Sequence, residues 1–113
     1  MMQFDVAERD GVTVLALSGD VMGGPDGAAL HDRLQQLKAD GRRHVVVDLD
    51  GVRFMNSSGL GMLIGALTTV RNGGGDLRLA RVGERVQSLL VITKLAAVFQ
   101  RFDTVEEAVA SFH

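Results

Sequence analysis

The chain has 113 residues, 46% of them hydrophobic and 23% charged, with a net charge of −2 and no cysteine. That length fits one domain burying roughly two-thirds of its unfolded surface, and the composition excludes disorder, a disulfide framework and a thiolate metal site. The charge argues against nucleic acid as a partner, because the basic residues are scattered and their one cluster, Arg42-Arg43-His44, reads as a solvated turn from helix to strand.

Phe4 to Ala7 and Val12 to Leu17 are apolar or alternating runs around Asp10-Gly11, a pair that predicts a β-hairpin. Gly23-Gly24-Pro25 breaks the pattern. Pro25 suits a first helical position, and Leu30, Leu34 and Leu37 recur at helical spacing, so an amphipathic helix follows and ends near Gly41. Val45-Val46-Val47-Asp48-Leu49 is a nearly continuous apolar run, as expected of a central strand covered on both faces. A second helix carries Leu60, Leu63, Ile64, Leu67 and Val70 and stops at Gly73-Gly74-Gly75; its Gly61 and Gly65 form a smooth stripe that lets the backbone approach a sheet or a partner closely. Leu77 to Val82 alternates like a strand with one wet face. Val86, Leu89 and Leu90 predict a third helix, 98–102 a short edge strand, and 105–109 a last helix capped by Asp103 or Thr104. The expectation is an α/β single domain over residues 1–113, with a mixed, mostly parallel sheet of about five strands and about four helices in the order β-β-α-β-α-β-α-β-α. No leader-type apolar region opens the chain, and its longest weakly polar stretch, 59–70, falls short of the roughly 20 residues that span a bilayer. A cytoplasmic protein without membrane insertion is expected.

The most informative stretch is Asn56-Ser57-Ser58-Gly59-Leu60-Gly61, which sets two hydroxyls and two glycines where a strand turns into a helix. The first N–H groups of a helix lack internal partners and the peptide dipoles add positive charge there, so a phosphate on Ser57 or Ser58 would sit favourably. The plainer reading of either serine is a helix cap worth about 1 kcal/mol. A hydrolase elbow centred on Ser58 would need glycines where Asn56 and Leu60 stand, and the one histidine downstream is His113. Catalysis is not expected. Gly59, Gly61 and Gly65, with Asp76 further on, imitate a dinucleotide fingerprint, but Ile64 occupies the place of its third glycine and there is no Walker lysine. His31 and His44 have no ligand set around them, so neither a metal nor a cofactor is expected.

The same residues carry a family resemblance. Val45 to Leu49, Val52-Arg53-Phe54-Met55 and Asn56 to Gly61, flanked by Leu15-Ala16-Leu17-Ser18-Gly19-Asp20 and Gly73 to Leu79, resemble the STAS domain of bacterial anti-sigma factor antagonists and sulphate transporter ends. That resemblance implies a non-catalytic partner switch. Ser57 is then the phosphoacceptor, with Ser58 the second choice and capping left to Ser58 or Asn56. The unphosphorylated protein would hold an anti-sigma factor that is a serine kinase with an ATP-binding fold, freeing its sigma factor, and a serine phosphatase would reset the switch. Met22, Gly23, Asn56, Ser57, Ser58, Gly59, Leu60, Gly61 and Ile64 form the implied partner face. Asn56 and Met22 stand where the family usually has aspartates, so two local negative charges are absent. The alternative implied by the same likeness is a subunit of a lipid or solute transporter assembly that holds an ATPase without phosphate chemistry.

Overall fold

In a computed structural model of the chain, which describes residues 2–113, Asp10 and Gly11 both take left-handed backbone (φ 52° and 80°). Two such residues match the twist of the flanking strands, and they join β1 (Gln3–Arg9) to β2 (Val12–Val21) as an antiparallel hairpin. The chain continues through α1 (Pro25–Ala39), β3 (His44–Met55), α2 (Ser57–Asn72), β4 (Asp76–Ala80), α3 (Glu84–Ile92), β5 (Arg101–Phe102) and α4 (Val105–Ala110). The five strands lie in sequence order, with β2 to β5 mutually parallel. This is the expected architecture and element order.

Three successive crossovers that each step one strand in the same direction place their helices on one face of the sheet. Accordingly Leu30, Leu34 and Leu37 of α1, Leu60, Leu63 and Leu67 of α2, and Val86 and Leu90 of α3 share one core with Leu15, Leu17, Val45, Val47, Leu77 and Leu79. The opposite face is covered by α4, whose Val105, Ala108 and Val109 pack on Val12, Val14, Val46 and Ala80, with Phe112 beyond the helix packed against them. Covered on both sides, Val45, Val46 and Val47 are at most 1% exposed, as the apolar run predicted.

Three boundaries differ from the sequence reading. Strand β3 continues past Leu49 to Met55 because two irregularities in its pairing with β2, between Ala16 and Ser18 and between Gly19 and Asp20, absorb Asp50 and Arg53. Strand β4 stops at Ala80, since Arg81 turns into left-handed backbone (φ 53°) and donates from Nε and Nη2 to the two carboxylate oxygens of Asp48, at 2.9 and 2.6 Å. Strand β5 is two residues rather than five, because Phe99 leaves the edge and folds into the helix-side core. No described helix is long and apolar enough to cross a membrane.

Candidate partner-binding face

At the C-terminal end of β3 the chain turns into α2 within one residue. Asn56 makes that turn in extended backbone, and its side-chain oxygen accepts a 2.8 Å hydrogen bond from the Gly59 N–H. Its own N–H donates to the Val21 carbonyl at 3.3 Å, tying the start of α2 to the end of β2. Gly59 abuts the same carbonyl: a Cβ there would lie 2.0 Å from the Val21 oxygen, which no side chain tolerates. The first glycine of the motif is therefore demanded by a close approach of two backbones.

Capping by Asn56 frees both serines from that task. Ser57 and Ser58 occupy the first two helical positions, both exposed, and neither hydroxyl hydrogen-bonds to any described residue. Their N–H groups have no partner within the helix, so the positive end of the α2 dipole opens to solvent beside them. On one flank Gly23 takes left-handed backbone (φ 82°), and a Cβ on it would come within 3.1 Å of the Ser58 Cβ. Met22, beside it, is 47% exposed.

Of the other residues expected on this face, Gly61 is exposed and Ile64 half-buried, whereas Leu60 is 2% exposed and belongs to the core. Leu60 therefore anchors α2 over the sheet, and like the buried Gly59 it is not on the exposed part of the face, a correction to where the sequence reading set its side chain. The glycine stripe does not approach the sheet either, since a Cβ on Gly61 or Gly65 would meet nothing within 4 Å. It lies open to solvent, with Gly65 on the wall of a shallow groove of about 300 Å³ between α1 and α2 that Ser58 also lines.

The sequence reading passed over two members of this end of the molecule. Phe54, three residues before Ser57, is 38% exposed, and the guanidinium of Arg85 from the first turn of α3 sits 5.9 Å from its ring centroid. An aromatic side chain beside the motif was the visible signal for Phe54; nothing local in sequence marks Arg85, which lies a whole β-α unit away. Arg53 pairs with Asp20 at 3.5 Å across the β2–β3 edge.

The dinucleotide imitation does not survive in three dimensions. Asp76 pairs with His44 at the start of β3, the opposite end of the sheet from Gly59 and Gly61, and is engaged by Arg71 and Arg78 at 3.2 Å each. Strand order also never reverses, so the sheet lacks the crevice in which such cofactors lie. His31 sits in the α1–α2 groove against Gln35, and His44 stacks on Phe112 with ring centroids 4.6 Å apart.

The sequence profile of the STAS domain matches residues 3–108, nearly the whole of this chain. The chain belongs to the STAS domain family. A curated relative, the anti-sigma F factor antagonist of Paenibacillus polymyxa, is 29% identical over 105 residues, spanning 90% of this chain and 87% of the relative. Among solved structures, an anti-sigma factor antagonist from Mycobacterium paratuberculosis superposes with a TM-score of 0.82 at 24% identity, covering 98% of this chain and 93% of its own. The Bacillus cell fate determinant SpoIIAA in its phosphorylated form does so with a TM-score of 0.76 at 17% identity, covering 98% and 100%. At those identities the two structures establish the fold of this STAS domain.

Proposed function

We propose that this STAS domain is an anti-sigma factor antagonist, with Ser57 as a phosphorylation switch that governs its hold on an anti-sigma factor kinase. The observation that carries the reading is the free Ser57 hydroxyl at the first position of α2, exposed and relieved of capping by Asn56. The full-length similarity to a curated anti-sigma F factor antagonist supports it. In the unphosphorylated state the exposed Met22, Ser57, Ser58 and Gly61 form a docking face without a formal charge of their own. A phosphate on Ser57 brings about −1.5 to −2 charges onto that face, so a partner fitted to a neutral hydroxyl loses contacts and meets a desolvation cost. A loss of about 3 kcal/mol weakens binding by roughly a hundredfold, enough to release the partner, and a serine phosphatase restores the face.

The α2 dipole favours the added charge, so the switch acts without unfolding its own helix. Affinity capture from native extract, with wild type and Ser57→Asp side by side and the retained proteins identified by mass spectrometry, tests the reading. An ATP-binding serine kinase retained by wild type and lost by Ser57→Asp is the expected result. A transporter ATPase retained equally by both replaces it with the transporter-subunit reading.

A further inference from the structure

Arg85 is poorly placed for its own sake. It lies in the first turn of α3, where the helix dipole disfavours a cation, and it makes no ion pair or hydrogen bond among the described residues. Its guanidinium lies instead 5.9 Å from the ring centroid of Phe54, itself a large aromatic left 38% exposed. The neighbouring cation Arg53, by contrast, is matched by Asp20 at 3.5 Å. Where a fold sets an unmatched charge on an unburied aromatic, two local rules are broken together, and such breaches concentrate at functional surfaces. Arginine and aromatic side chains are also the types that anchor interfaces.

We infer that Phe54 and Arg85 form a second anchor of the partner face, built to receive an apolar side chain next to a carboxylate on the anti-sigma factor. The inference rests on the proposed function and extends its face from the α2 turn to the first turn of α3. Charge complementarity selects the occupant. The guanidinium stays in water until a carboxylate covers it, and the Phe54 ring beneath offers the apolar contact that excludes water from the new pair. Because β3 leads from Phe54 straight to Ser57, a partner seated on the serine turn reaches the ring without any movement of the domain.

The test is a titration of the purified kinase that wild type retains from extract against wild type, Phe54→Ala, Arg85→Glu, Arg85→Lys, Arg53→Ala and Ser57→Asp. The expected result is at least about tenfold weaker binding by Phe54→Ala and Arg85→Glu, partial recovery in Arg85→Lys, and a change within about threefold in Arg53→Ala, whose charge is already matched. Binding by wild type should fall with added salt, and by Arg85→Glu less so. Unchanged binding by Arg85→Glu, with Ser57→Asp still released, overturns the second anchor and leaves the switch standing. Equal binding by Ser57→Asp and wild type overturns the switch reading and, with it, this extension. Thermal melts of each variant separate lost contact from lost fold, since neither Phe54 nor Arg85 is in the core.

Discussion

At the residue scale, the turn into α2 divides labour among neighbours that look interchangeable in sequence. Asn56 caps, Gly59 permits close approach, Leu60 anchors, and Ser57 is left exposed with no capping task. Asn56→Ala should therefore cost about 1 kcal/mol in chemical denaturation, while Asn56→Asp keeps the cap and gains a few tenths from the helix dipole. The glycines separate more sharply. Gly59→Ala forces a Cβ into the Val21 carbonyl and should destabilise by on the order of 3 kcal/mol, whereas Gly61→Ala and Gly65→Ala, with open space around them, should each stabilise by about 0.5–1 kcal/mol. Equal effects at all three positions would contradict this division. The sequence offered Asn56, Ser57 and Ser58 all as cap formers, and only the backbone path decides which oxygen reaches the Gly59 N–H. It likewise offered Leu60 twice, on the apolar stripe of the second helix and on the partner face that the family resemblance implies; helical geometry turns that side chain to the sheet, as the stripe has it.

At the element scale, the helices on the motif side were legible because each carries leucines at helical spacing, and the hairpin because Asp-Gly demands left-handed backbone. The extent of β3 was hidden by pairing irregularities at Asp50 and Arg53, which break alternation, and β5 by Phe99, an apolar residue that serves the helix core instead of the edge. Ion pairs between distant positions were also out of reach. Asp48, nearly buried, is held by Arg81 from 33 residues on, and that hydrogen bond raises the guanidinium's pKa further above its ordinary value. The second face depends on α4, a helix of six residues that cannot stand alone. Phe112 pins it, stacked on His44 at 4.6 Å and with the Arg78 guanidinium 4.0 Å from its ring centroid, while Arg78 also donates to the Ser111 carbonyl. Phe112→Ala should cut amide-exchange protection in α4 at least tenfold and leave α1 and α2 protected. Uniform loss across the domain would contradict a separately held helix. A smaller pH effect belongs to the same helix. The Glu106 carboxyl is held below its ordinary range first by its own backbone N–H at the helix start and then by Arg9, at 3.3 Å. A lowered carboxylate pKa adds stability above the ordinary carboxylate range and loses it as pH falls through the lowered value, so acidification should loosen α4 and Glu106→Gln should remove that dependence.

At the scale of the whole molecule, a sheet that steps always in one direction puts α1, α2 and α3 on one face and has no point where the strand order reverses. What gathers at its C-terminal end is a shallow surface: Met22 and Gly23 after β2, Phe54 in the last residues of β3 with the serine turn after it, and Arg85 after β4. Such a surface suits a protein partner better than a small ligand, and a single phosphate is enough to change its charge. The element order and the parallel steps were legible because each such step needs its crossover helix, while the company kept by Ser57 was not, since it is assembled from the ends of three separate strands and the segments that follow them. The central claim is that the Ser57 hydroxyl switches partner binding without altering the fold. Its most direct test is the dissociation constant for the retained kinase measured with wild type, Ser57→Ala and Ser57→Asp, alongside the melting temperature of each. We predict that Ser57→Ala binds within about threefold of wild type and Ser57→Asp roughly a hundredfold more weakly, with a melting temperature no lower than wild type. Equal binding by the two variants, or weak binding accompanied by a fall in melting temperature, would contradict the account.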